Sequence, residues 1–284
     1  MKECVLYKKE KNKKVKCLAC CHKCLICKGK TGICRVRKNV NGKLYLLIYG
    51  IIASENNDPI SKKPIYNFLP NSMTYSIGTV GCNFKCDFCQ NFEISQSKKI
   101  IGRKLCAKEI VERALRCGAK SISYTYNEPT IFAEFFKDVA ELAKLKGLKN
   151  ILVTNGYFSE ECFELVFPFI DAMNIDLKSF NEDFYRKNCK AKLNYVLGNI
   201  KKVYDKGIHV EITTLIIPGL NDSEEEFEKI AKFISSIDKN IPWHISRFFP
   251  RYKMKDKKIT DLETLKKAEN IGRKYLNYVY VGNI

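Results

Sequence analysis

No apolar run in the 284-residue sequence reaches the length of a membrane span; the longest near-candidate, Tyr45 to Ala53, is strand-sized. The Lys-rich N-terminus lacks the apolar stretch that follows in a signal peptide. A soluble, cytoplasmic protein with no membrane partner is therefore expected. Arginine is scarce: of 50 basic residues, 9 are Arg. Bidentate recognition of phosphates and bases favours Arg. The net charge of +19 thus reads first as a lysine-rich solvated surface, and a nucleic-acid partner is the less favoured reading. Internal repeats and disordered linkers are also missing.

Cysteine, by contrast, is abundant. The chain has 14, and they cluster: seven lie at or before Cys34 and three lie between Cys82 and Cys89. In a reducing compartment such clusters suit metal or cluster ligation better than disulfides. Length and core content fit one large α/β domain with a small appendage. The expected division is a Cys-rich N-terminal region with a β-hairpin over 1–70 and a main domain over 71–284. Residues 1–16 read as a Lys-rich lead-in, and 35–53 as a hairpin turning at Asn41-Gly42.

From about Met73 strand and helix patterns alternate. Strands are expected at 75–80, 121–126, 151–154, 172–176, 210–217 and 243–248. Helices are expected at 107–117, 131–146, 160–167, 182–191, 193–206, 223–236 and 261–276. Strands separated by helices imply βαβ units and a parallel sheet. Six such units predict an α/β fold, a partial (β/α)6 TIM-like barrel, with a small Cys-rich N-terminal metal-binding segment. In such barrels the chemistry sits at the C-terminal ends of the strands.

The segment "IGTVGCNFKCDFCQN" places Cys82, Cys86 and Cys89 in a Cys-x3-Cys-x2-Cys spacing directly after the first barrel strand. Three thiolates on a short loop can hold three irons of a cubane and leave the fourth iron open to another molecule. A zinc site is the competing reading. Zinc wants four closed ligands, and the next residues, Gln90 and Asn91, are poor ones.

These residues resemble the radical S-adenosylmethionine (SAM) superfamily, and within it the AmmeMemoRadiSam-system proteins, which are similar to pyruvate formate-lyase activating enzymes. The resemblance runs through "GICRVRKN", "DPISKKPIYNF", "YTYNEPTIF", "VTNGY", "NIDLKSF", "IIPGLND" and "WHISRFFP", in that order. It implies an oxidoreductase-like enzyme whose [4Fe-4S] cluster cleaves SAM to a 5′-deoxyadenosyl radical, with the cofactors carrying the chemistry. It also implies roles. Phe88 stands where relatives place an aromatic near the adenine. Tyr126, Asn127 and Glu128 take the place of a stretch that binds the SAM amino group. Thr154 and Asn155 face the same mouth. Asp176 suits a ribose hydroxyl and Lys178 the SAM carboxylate, the competing role being a surface ion pair. No residue specifies a substrate or a catalytic acid or base.

Cys17, Cys20, Cys24 and Cys34 match the family's N-terminal cysteine pattern. Four thiolates in a short segment suit structural zinc or a second iron–sulfur cluster. That site is expected outside the barrel, away from the SAM-binding mouth. The resemblance further implies an electron donor of flavodoxin or ferredoxin type and a substrate that includes proteins, as in glycyl-radical activation. The alternative is an RNA-modifying enzyme served by the basic surface.

Overall fold

Buried β-branched stretches and amphipathic stretches follow one another along the chain, and each becomes the element that its period dictates. The computed structural model describes residues 1–284. It divides into two compact units, one of residues 1–84 and 91–172, the other of residues 85–90 and 173–284.

In the first unit the hairpin forms as expected. Arg37–Val40 and Lys43–Leu46 pair antiparallel, and Asn41 and Gly42 turn the chain with φ of 52° and 87°, as a two-residue hairpin loop requires. Lys2–Glu3 adds a third strand. The Lys-rich start is thus more than a lead-in. Tyr7–Lys9, Val15–Cys17 and Leu25–Ile26 make a second small antiparallel sheet, with Val15 and Cys17 turned inward and Lys16 partly out. Lysines on the outer face hid this alternation from a compositional reading.

The main sheet of this unit runs in the order Ser54–Pro59, Met73–Gly78, Ser121–Tyr124, Lys149–Thr154. The last three are parallel, and Ser54–Pro59 joins antiparallel. That edge strand, "SENNDP", was not anticipated, because its side chains are polar and its pairing is carried by the backbone. The helices Ala107–Arg116, Ala133–Leu145 and Glu160–Val166 fall where predicted, except that Pro129–Phe132 forms a 3-10 turn ahead of the second. Proline opens that turn, where its missing N–H costs nothing.

An ion pair ties the hairpin to this scaffold. Arg37 is 1% exposed and Glu134 5%. The guanidinium donates to the Ile131 carbonyl at 2.9 Å and forks onto both oxygens of Glu134, one of them at 2.9 Å. The carboxyl is buried, yet the adjacent guanidinium holds it below the usual range.

In the second unit the sheet runs Ala172–Asp176, His209–Ile216, Trp243–Arg247, Val279–Gly282, with the last three parallel. Val279–Gly282 was not predicted as a strand. Helices Leu193–Asp205, Glu224–Ile237 and Leu262–Gly272 pack in this unit. Ser223 caps the second by accepting from the Glu226 N–H at 3.2 Å. Trp243 is fully buried and donates its indole N–H to Thr214 at 2.9 Å. Gly272 lets that ring approach, since a Cβ there would meet it at 2.9 Å.

The helix expected over 182–191 is only partly α. Glu182–Phe184 is one short turn, and Tyr185–Cys189 is a π turn ending at Lys190 with φ 60°. The carbonyls of Asn188 and Cys189 accept instead from the backbone N–H groups of Asp87 and Lys85, each at 3.0 Å. Demand from a neighbouring loop therefore competes with the helix ladder, and such turns are frequent at functional sites. No helix is long and apolar enough to cross a membrane.

Candidate functional site

The loop after Met73–Gly78 carries the chain from one unit to the other: Cys82 belongs to the first, Cys86 and Cys89 to the second. In the first unit the loop is held by the end of the neighbouring strand. The Asn127 amide accepts from the Thr79 N–H at 3.1 Å and donates to Thr79 Oγ1 at 2.9 Å and the Gly81 carbonyl at 2.8 Å. Gly78 makes the approach possible, because a Cβ would stand 2.6 Å from the Thr125 carbonyl. Tyr126, with φ 67°, donates its hydroxyl to Asp58 at 3.2 Å. The Asn127 amide thus spends its hydrogen bonds on the loop that leads into the thiols.

Glu128 is 2% exposed. Its carboxylate accepts from the N–H and hydroxyl of Thr130, from Thr154 Oγ1 at 2.8 Å and from the Asn155 N–H at 2.8 Å. Burial pushes this carboxyl up, and the surrounding donors pull against it without cancelling the shift. Three of these donors fall on Oε1 and one on Oε2, so the group fastens the end of Lys149–Thr154 to the end of Ser121–Tyr124. Asn155 in turn donates its amide to Asn83 Oδ1 at 2.8 Å, and Asn83 follows Cys82 in the chain.

In the second unit Cys86 is buried, and its thiol is hydrogen-bonded to Cys189, which with burial pushes it well up. Phe88 is buried, its ring 5.8 Å from that of Phe184, and Lys178 Nζ lies 5.7 Å from its centroid. Lys178 also donates to Asp176 at 2.9 Å. Its side chain is 14% exposed, that of Asp176 34%. Burial opposes the ammonium charge, but the Asp176 carboxylate beside it favours it more, so the pKa stands well above its ordinary value. Asp176 and Lys178 are thus an ion pair, partly open, at the end of Ala172–Asp176. Both expected groups are present there with charge to offer. Asp87 is pinned by Lys253 at 2.8 Å.

Within the first unit, the N-terminal cysteine segment, expected to stand apart, packs on the end of Lys149–Thr154. Cys20 bridges to Phe158, the Cys21 N–H donates to the Tyr157 carbonyl at 3.0 Å, and Ser159 donates its hydroxyl to the Leu18 carbonyl. This places the cysteine segment on the loop directly after Thr154 and Asn155. His22 Nε2 also lies 3.0 Å from the Asn83 carbonyl. Sequence reasoning missed Asn83, Arg37, Glu134 and Cys189. Asn83 could have been suspected from its place beside Cys82, and Cys189 from being a further thiol. Nothing local marks Arg37 or Glu134. No group of three or more His, Cys, Asp or Glu side chains stands where it could hold a single metal ion.

Comparison with known proteins gives a consistent result. The family model described as the Radical SAM superfamily matches residues 76–234, more than half of the chain. The chain is 42% identical to an uncharacterized protein of Methanocaldococcus jannaschii, over 100% of this chain and 86% of that one. It is 28% identical to a pyruvate formate-lyase-activating enzyme of Clostridium pasteurianum, over 66% of this chain and 85% of the relative. Among solved structures, a radical SAM methyltransferase from Sphaerobacter thermophilus superposes with a TM-score of 0.57 at 18% identity, covering 76% of this chain and 67% of that one. At that identity the likeness speaks for the fold, which is the α/β partial barrel with a parallel sheet.

Proposed function

Because this chain belongs to the radical SAM superfamily, we propose that Cys82, Cys86 and Cys89 hold its [4Fe-4S] cluster and that the enzyme uses it to abstract hydrogen from a protein substrate. The family's cofactors are that cluster and SAM, and family members need an electron donor; here a flavodoxin or ferredoxin type fits. The observation that carries the reading is the donor set. Three thiols share one loop at a strand end, and Gln90 and Asn91 beside them are no metal ligands. Such a set suits a cluster with one open iron. When bound, cluster and SAM together supply a 5′-deoxyadenosyl radical, and the chemistry is theirs.

What this chain supplies is position and charge. Asn127 fixes the loop that brings Cys82 forward. Glu128 fixes Thr154 and Asn155 and so serves as a positioning residue. Lys178, charged and partly open beside Asp176, offers a donor to the SAM carboxylate, and Asp176 an acceptor for a ribose hydroxyl. Phe88 presents a buried ring next to that pair. A protein substrate is favoured by the likeness to a pyruvate formate-lyase-activating enzyme. The net charge of +19 favours RNA as the second reading.

The test is anaerobic reconstitution with iron and sulfide, followed by a 5′-deoxyadenosine assay with dithionite and SAM. Protein, RNA and small-molecule fractions of a cell extract are then supplied in turn. Turnover raised by the protein fraction supports the reading, and turnover raised by RNA replaces it with the second. Absence of 5′-deoxyadenosine from cluster-loaded enzyme in every fraction would sink both.

A further inference from the structure

Cys189 takes no part in the function proposed above, yet it stands against one of the thiols that do. Cys189 is fully buried and Cys86 is 7% exposed, and their thiols share a hydrogen bond. The two backbones are fastened as well. The Lys85 N–H donates to the Cys189 carbonyl and the Asp87 N–H to the Asn188 carbonyl, each at 3.0 Å. Cys86 is therefore tied on both sides to the turn that presents Cys189.

That turn also reaches the proposed SAM anchor. Tyr185, at its start, is fully buried, and its hydroxyl accepts from the Lys178 N–H at 3.0 Å. The π turn Tyr185–Cys189 thus holds the backbone of Lys178 at one end and the loop of Cys86 at the other.

Ligand chemistry fixes the sense of the sulfur–sulfur bond. A cysteine binds iron as the thiolate and has no proton left to give. Once Cys86 is a ligand, the bond survives only with the Cys189 S–H as donor and the Cys86 sulfur as acceptor. A thiol is a weak donor, but in a dry surrounding the same bond is electrostatically stronger. Hydrogen bonds to the sulfurs of an iron–sulfur cluster are among the factors that set its reduction potential. Each draws charge from the sulfur and so favours the form that carries the extra electron.

We propose that Cys189 binds no iron but donates its S–H to the Cys86 thiolate, raising the cluster's reduction potential and easing its one-electron reduction by the donor protein. The inference rests on the assignment of Cys86 as a cluster ligand made above. Cys189 acts through Cys86 and is a positioning residue.

The full chain, Cys189→Ala and Cys189→Ser are each reconstituted anaerobically with iron and sulfide and titrated at controlled potentials by electron paramagnetic resonance. Samples in H₂O and D₂O report exchangeable protons coupled to the reduced cluster. Both variants should hold iron and sulfide at the wild-type content. Cys189→Ala should shift the potential downward and lose one exchangeable-proton coupling. Cys189→Ser keeps a donor in the same place and should lie nearer the wild type in both. An unmoved or raised potential, or a coupling that persists, in Cys189→Ala overturns the proposal. A Ser variant shifted as far as the Ala variant assigns the effect to packing and overturns the donor. Loss of the cluster from both variants makes Cys189 a ligand or a structural support, which overturns it too. Cys86→Ala, run alongside, tests the underlying assignment by itself: if it keeps the wild-type cluster, Cys86 is no ligand and this inference falls with that reading.

Discussion

The two thiol sets of this protein are built in opposite ways. Cys82, Cys86 and Cys89 are neighbours by chain spacing alone, at the end of one parallel strand. Cys17, Cys20, Cys24 and Cys34 reach one cavity only because a three-stranded sheet, a hairpin and the start of Ala133–Leu145 hold their backbone together. A set made by spacing survives many distant substitutions and fails when a ligand is lost. A set made by tertiary contacts also fails when a support far along the chain is lost, and here that support is Arg37 on Glu134.

The largest expected effect breaks the spacing-made set directly. Cys82→Ala should abolish 5′-deoxyadenosine formation while far-UV circular dichroism stays unchanged; wild-type turnover from this variant would refute the assignment of the loop. Next in size is the support of the tertiary set. Arg37→Met strands a buried carboxylate, which typically costs about 3–5 kcal/mol. Urea unfolding should show that loss, and a midpoint equal to wild type would mean that the pair is idle. The effect carries a pH signature. Glu134 is held below the usual glutamate value in the folded protein, so the unfolded chain binds the extra proton first. The stabilisation is present above the unfolded value of about 4.3 and is lost as pH falls through the folded one. In Arg37→Met the buried, unpaired carboxyl should rise instead, so the gap between the two proteins should close as the pH is lowered through 4. A gap that widens on acidification contradicts the ion pair.

Smaller effects compare the two ways of holding a charge. Lys178→Ala removes one charge-assisted contact to SAM, about 1.5–3 kcal/mol, so SAM affinity should drop by roughly one to two orders of magnitude. Equilibrium binding to cluster-loaded enzyme checks this, and unaltered affinity returns Lys178 to a plain ion pair with Asp176. Glu128→Gln should show the reverse profile. It weakens an internal net of four donors and so lowers the unfolding midpoint, while SAM binding changes only through the displaced Thr154 and Asn155. A large affinity loss at unchanged stability would make Glu128 a direct SAM contact instead. Least of all, Lys253→Ala removes an exposed partner of Asp87 and should cost under about 1 kcal/mol, detectable as a small midpoint shift or none.

The six predicted strands and most helices were legible because their burial repeats every two or every three to four residues. Ser54–Pro59 was not, because a polar edge strand has no buried face to announce it. The π turn at Tyr185–Cys189 was not legible either. Its local pattern is helical, and only the N–H groups of Lys85 and Asp87 pull its carbonyls away. That Lys178 lies 5.7 Å from the ring of Phe88 was likewise not legible, since the two residues are ninety positions apart. The enclosure of Glu128 was invisible, since Thr130, Thr154 and Asn155 converge on it from two strand ends.

By itself, then, the sequence determined the class of chemistry and the order of the strands. A Cys-x3-Cys-x2-Cys loop fixes its three thiols within a few covalent links, and periodic burial is a local property of the chain. Only the tertiary structure decided that Glu128 faces inward, that Arg37 and Glu134 bury one another, and that the N-terminal thiols lie beside Asn83. Those facts join residues up to about a hundred positions apart, and pairing over such spans is set by the packing of whole elements, which no local pattern encodes.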